Sequence, residues 1–118
     1  LETSSLDAKV SYKILVDPEE YVGQASLLDD NSVDLCLVDG IERDRCALLM
    51  TQKVRTNGLL IVDNVNWFLP AGNSSSPDSM DANEFASPKW KKFSHQVRSW
   101  RSIWTSNGVT DTCIYIKP

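Results

Sequence analysis

The sequence predicts an α/β fold: a mostly parallel sheet that ends in an antiparallel β-hairpin. Three observations carry this. Apolar runs at 10–16, 33–38 and 59–62 alternate with segments of helical periodicity, and such alternation builds parallel strands joined by right-handed crossovers. Each run stops at an aspartate: Asp17, Asp39 and Asp63. The chain closes with two short β-like runs around Asn107-Gly108, a dipeptide that favours a tight type I′ turn.

Taken in order, Val10–Val16 alternates β-branched and aromatic residues and reads as the first strand. Asp17 then caps a helix that opens at Pro18, with Glu19 and Glu20 favourable to its dipole. Tyr21, Val22, Ala25 and Leu28 recur at helical spacing until Asp29-Asp30-Asn31-Ser32 ends the helix. Val33–Val38 is apolar except for Asp34, the pattern of a parallel strand covered on both faces. A second helix spans 43–54, with Cys46, Leu49, Met50 and Val54 on one side. Asn57-Gly58 ends it as a turn, and Leu59–Val62 follows as a buried strand.

The segment 65–88 holds Pro70, Gly72, three consecutive serines, Pro77 and Pro88, without periodicity. A loop longer than about 12–15 residues is functional or disordered more often than not, so it reads as lid-like. Trp90, Phe93, Val97 and Trp100 then mark the apolar face of a helix at 88–100. Strands 101–106 and 109–117 complete the hairpin, with Trp104 and Tyr115 expected to pair across it.

The 118 residues, 42% hydrophobic, suffice for one small domain with a core. Twelve Lys and Arg against sixteen Asp and Glu give a net charge of −4. The one basic grouping, Lys89, Lys91, Lys92, Arg98 and Arg101, is modest. Nucleic acid is therefore not an expected partner, because phosphate contacts need clustered Lys and Arg. No apolar run reaches the roughly 18 residues of a membrane span, and no signal-peptide pattern opens the chain. Cys36, Cys46 and Cys113 form no C-x-x-C motif. They are expected as free thiols in a reducing compartment, the cytoplasm.

In open α/β sheets, ligands bind beyond the carboxyl ends of the strands. Asp17, Asp39 and Asp63 all fall there, and Asn64 adds a second oxygen donor beside Asp63. Carboxylate and amide oxygens of this kind suit a hard cation such as Mg²⁺. Trp67 and Phe68, directly after them, could form an apolar wall for an acceptor or pin the loop to the sheet. Arg43, Asp44 and Arg45 read as a solvated helix start.

Val33–Gly40 and Asn57–Trp67, with the helix between them, resemble the C-terminal half of class I S-adenosylmethionine-dependent methyltransferases. The nearest likeness is to the cation-dependent O-methyltransferases of the catechol and caffeoyl-CoA type. The resemblance covers residues 10–68 well and 88–118 in outline. It implies a Rossmann-like sheet of order 3-2-1-4-5-7-6, with the apolar runs of this chain as strands three to seven. It further implies that Asp39, Asp63 and Asn64 ligate Mg²⁺, and that Asp17, Asp39 and Gly40 meet S-adenosylmethionine. Trp67 and Phe68 would line the site of a small-molecule acceptor. Glu42 stands where the catechol-type enzymes carry a lysine base, so Glu42 and His95 are the candidate proton acceptors.

The family also requires a Gly-rich turn after its first strand and an acid ending its second, and no residue before Val10 supplies either. Residues 1–118 therefore read as part of a domain lacking its first two strands, cropped, truncated or completed by another molecule. Oligomeric state stays open, a homo-oligomer included. Two functions follow: methyl transfer to an acceptor oxygen as part of a larger domain, or a non-enzymatic module that keeps the half-sheet without binding cofactor. A phosphoacceptor receiver fits less well, because Val65 rather than a lysine follows the Asp63-Asn64 pair.

Overall fold

The structure, a computed structural model, describes residues 10–71 and 76–118. Helix α1 (Pro18–Ser26) precedes strand β1 (Val33–Val38), helix α2 (Arg43–Lys53) and strand β2 (Val54–Asp63). A 3-10 turn (Val65–Trp67), helix α3 (Pro88–Gln96) and strands β3 (Arg101–Ser106) and β4 (Asp111–Ile116) follow. The strands form one sheet in the order β1-β2-β4-β3. β1 and β2 run parallel, and the other two pairings are antiparallel. This α/β architecture is the expected class, and the order is that expected for the second half of a Rossmann-like sheet.

The sheet is mixed rather than mostly parallel, and the reason lies at its open edge. Residues 10–16, expected as a strand, have no regular structure. A strand exists only through a neighbour that accepts its backbone hydrogen bonds, and none of the described residues provides one. Val10, Tyr12, Ile14 and Val16 consequently remain exposed. Asp17 does cap α1, accepting the Glu20 amide at 3.3 Å.

Register explains the core. Cys36, Leu60 and Tyr115 form one cross-strand row, and Val38, Val62, Cys113 and Trp104 the next. Ala47 and Met50 of α2, and Trp90, Phe93 and Val97 at α3, cover these rows. Phe93 is fully buried and meets Tyr115 edge-on, with ring centroids 5.3 Å apart. Trp104 faces Cys113, and Tyr115 faces Ser102, so the two aromatics are diagonal neighbours rather than a direct pair. The opposite face carries the rows Leu35-Leu59-Ile116 and Leu37-Ile61-Ile114-Ile103. Leu35, Leu37 and Ile103 are exposed. β1 is thus covered on one face, although its composition matches a strand covered on two.

Two turns differ from expectation in ways the register makes clear. Asn57-Gly58 lies inside β2 as a bulge: Val33 pairs with Val54 but Leu35 with Leu59. Asn57 takes φ 64°, and its amide donates to the Lys117 carbonyl at 2.8 Å. At the hairpin only Gly108 has positive φ, so the type I′ geometry, which needs two such residues, is not formed. A four-residue loop replaces it, in which the Asn107 side chain accepts the amides of Val109 and Thr110.

Gly58 is a point of close approach. A Cβ there would lie 2.7 Å from a Val54 methyl, 2.9 Å from the Arg55 carbonyl and 3.0 Å from the Asp34 carbonyl. Two of these are backbone atoms of paired strands and cannot step aside. Gly58→Ala is therefore expected to cost about 1–3 kcal/mol, measured by urea denaturation; an unchanged midpoint would contradict the packing described.

Burial also sets an alkaline limit. All three cysteines are free. Burial pushes the Cys36 thiol up to about 11, and it also raises Cys113 and Tyr115. Between the ordinary thiol range and these values the unfolded chain loses protons that the folded chain keeps, so stability falls as pH rises. Thermal melts should decline progressively from about pH 9, and Cys36→Ala should flatten the decline; a melt independent of pH across this range would refute it.

Candidate functional site

The carboxyl ends of β1 and β2 and the start of α2 meet at one end of the sheet, and Arg43 holds them together. Its Nε donates to the Gly40 carbonyl at 2.8 Å. Its Nη1 donates to the Asp63 carbonyl and to Asn64 Oδ1, both at 3.0 Å. Its Nη2 lies 3.3 Å from Asp39 Oδ1. The guanidinium also sits 5.5 Å from the centroid of the Phe68 ring, a cation–π geometry. The arginine side chain is only 17% exposed, and its charge-assisted bonds to Asp63 and Asn64 are partly buried, whereas those to Gly40 and Asp39 face solvent. In sequence this residue resembles any basic residue at a helix start; only the turn at Asp39-Gly40 aims it inward.

The three residues expected around a cation are therefore close together but arranged about an arginine. Asp39 and Asn64 bind Arg43 directly. The Asp63 carboxylate instead accepts the Asn64 amide at 3.0 Å and the Thr112 hydroxyl at 2.8 Å. Asn64 Nδ2 donates to the Thr110 hydroxyl. A hexacoordinate Mg²⁺ needs several free oxygens at about 2.0–2.1 Å. Here a guanidinium is already ion-paired with Asp39 and hydrogen-bonded to Asn64, and Asp63 Oδ1 accepts both the Asn64 amide and the Thr112 hydroxyl of the hairpin. The residues do not fit Mg²⁺, and no cluster of three or more His, Cys, Asp or Glu residues suited to a metal occurs among the described residues.

Two backbone conformations hold this arrangement. Asn64 and Glu42 have φ of 53° and 49°. The left-handed region is tolerated by Asn but unusual for Glu, and of the six described non-glycine residues that adopt it, Glu42 alone is neither Asn nor Asp. Such residues cluster at functional sites, where the surroundings hold them in place. The Glu42 carboxylate accepts from Arg45 at 3.1 Å, and Arg45 also grips Glu19 of α1 at 2.8 Å. The Arg45 guanidinium holds the Glu19 carboxyl below its usual range. The candidate base is thus engaged by an ion pair joining α1 to α2. His95 is exposed on α3 near its C-terminal end.

Two clefts flank the rim. A cavity of about 420 Å³ follows the open edge of β1 and is lined by Tyr21, Leu35, Leu37, Asp39, Gly40 and Cys46, among others. Gly40 admits Tyr21 against the backbone: a Cβ there would fall on the Tyr21 hydroxyl. A second cavity of about 340 Å³ is lined by Glu42, Arg43, Trp67, Phe68, Ser87 and Trp90, among others. Of the two expected acceptor-site residues, Phe68 is stacked on Trp90 at 4.9 Å and so fastens the loop, whereas Trp67 is 42% exposed. Asp17 caps α1 two residues before Glu19, at this same end of the molecule.

The described parts of the 65–88 segment are tied down by a polar network that composition did not reveal. Asp111, 1% exposed, accepts from Ser76 Oγ and from Trp104 Nε1. Its amide donates to Asn66 Oδ1 at 3.0 Å, and Asn66 in turn donates to the Pro77 carbonyl and the Ser79 hydroxyl. Ser87 caps α3 and donates to Asp44 at 2.8 Å, which returns the chain to the rim.

No family model matches this chain, and no curated protein is significantly similar to it. Among solved structures it is similar to a possible exported protein from Bordetella parapertussis, at 16% identity and a TM-score of 0.45. The match covers 86% of this chain and 51% of that one, so the chain spans about half the length of that structure. No described helix is long and apolar enough to cross a membrane.

Asp111→Ala is expected to leave the Trp104 N–H and the Ser76 hydroxyl without this acceptor. The loss should be about 1.5–3 kcal/mol, read by denaturation, together with faster protease cleavage within 65–88. Unaltered cleavage would show that the loop is fastened some other way.

Proposed function

We propose that this chain carries the rim of an S-adenosylmethionine-dependent methyltransferase domain acting on an oxygen of a small-molecule acceptor. The supporting observation is the convergence of Asp39-Gly40, Arg43 and Asp63-Asn64 at one sheet end, with a cleft on either side. Ligands of open α/β sheets bind at this end.

In this reading the β1-edge groove takes the adenine side of the cofactor. Leu35, Leu37 and Cys46 offer apolar walls for a planar ring, and Asp39 offers a carboxylate at its margin. The cleft of Trp67, Phe68 and Trp90 takes the acceptor against its aromatic wall. Bound cofactor supplies an electrophilic methyl group. This chain contributes mainly by orienting the reactants, an effect that can account for a large part of such barriers. Its fit to the cofactor is one-sided, because no Gly-rich turn follows a strand among the described residues; the transfer step itself is not assigned to this chain. Three free thiols support a reducing compartment such as the cytoplasm.

The open edge of β1, with Leu35 and Leu37 exposed, favours a second reading: a non-enzymatic module that keeps the half-sheet. Calorimetry with S-adenosylhomocysteine separates the two. Micromolar binding, weakened about tenfold by Gly40→Val, is the expected result. Absence of heat at millimolar ligand would leave the module reading in its place.

A further inference from the structure

We infer that Arg43 is a built-in substitute for a divalent cation at this rim, so that the site is ordered without metal. Asp39, Asp63 and Asn64 are the residues from which a metal site would be made, and the guanidinium lies among them. It contacts four oxygens: it hydrogen-bonds to Gly40 O and Asp63 O of the backbone and to Asn64 Oδ1, and it forms an ion pair with Asp39 Oδ1.

Three features make this an occupied position rather than a passing contact. The planar fork of arginine bonds several fixed oxygens in one plane, which a lysine ammonium does not match. Its underside rests on Phe68, and Phe68 stacks on Trp90, so moving the guanidinium would disturb the aromatic packing that fastens the loop. Finally, Asn64 takes a left-handed backbone conformation, which asparagine tolerates, with its Oδ1 hydrogen-bonded to Arg43.

The consequences differ from those of a metal. A guanidinium keeps its charge across the physiological range and offers no open coordination position. It therefore cannot act as a Lewis acid on an acceptor hydroxyl, in contrast to a bound Mg²⁺. Arg43 is a positioning residue: it fixes Asp39, Asn64 and the floor of the aromatic cleft. It also repels an incoming dication. This conclusion concerns the occupancy of the rim and holds whether or not the chain binds S-adenosylmethionine.

The test uses Mn²⁺ as probe, followed by electron paramagnetic resonance on the whole chain without cofactor. Wild type is expected to show no Mn²⁺ binding that Asp39→Asn weakens. Arg43→Ala removes the positive charge and frees the oxygens, and should bind Mn²⁺ at least about tenfold more tightly than wild type. Asp39→Asn in that background should abolish the gain. A purely structural arginine would not produce this gain. Wild-type Mn²⁺ binding weakened tenfold by Asp39→Asn overturns the inference, as does a folded Arg43→Ala chain that binds no better than wild type. Should Arg43→Ala fail to fold, the same comparison with Arg43→Gln, which keeps planarity without charge, decides the matter. The S-adenosylhomocysteine titration is a separate readout, so the two proposals fail independently.

Discussion

The rim of this molecule is organised around one guanidinium. Arg43 bonds to the turn after β1, to the end of β2 and to Asn64, and it lies over Phe68 of the long loop. Parallel strands joined by a helix have no hairpin to fix the relative positions of their ends. Here a single side chain from the connecting helix does so. The bonds are charge-assisted, and those to Asp63 and Asn64 are partly buried, which strengthens them. Phe68 and Trp90 then extend the constraint to α3, and Phe93 carries it to Tyr115 in the middle of the sheet.

A second constraint acts on the sheet itself. α2 and α3 cover one face, and the rows Leu35-Leu59-Ile116 and Leu37-Ile61-Ile114-Ile103 form the other. A parallel pair is usually buried on both faces. The sequence of β1 obeys that rule even though the described residues cover only one of its faces. The rim and the exposed face are connected through this strand, because Asp39 ends it and the larger cleft follows its edge.

Much of the architecture was legible. Strand β1, helix α2, the hairpin strands and the core positions Trp90, Phe93 and Val97 followed from hydrophobic period and from punctuation by Asp, Gly and Pro. Helix α3 began as expected at Pro88, where the structure adds a Ser87 cap, but it ends at Gln96 rather than at 100. The gathering of Asp39, Asp63 and Asn64 was legible because residues that end neighbouring parallel strands share an edge of the sheet. Residues 10–16 misled because β propensity reports how a segment would fit a sheet, not whether a neighbouring strand is present. The polar ties of the 65–88 segment were not legible at all. Asn66, Ser76 and Asp111 are far apart in sequence, and no periodic pattern announces a buried polar network.

By itself the sequence determined the class of fold, the order of its helices and strands from Pro18 onward and which residues end neighbouring strands, because these depend on local period and on what terminates each run. Only the tertiary structure decided what lies among those residues. The identity of Arg43's partners depends on the turn at Gly40, the left-handed backbone at Glu42 and Asn64, and the stacking of Phe68 on Trp90. Each involves residues distant in the chain, and a long flexible side chain has no preferred partner until packing removes its alternatives.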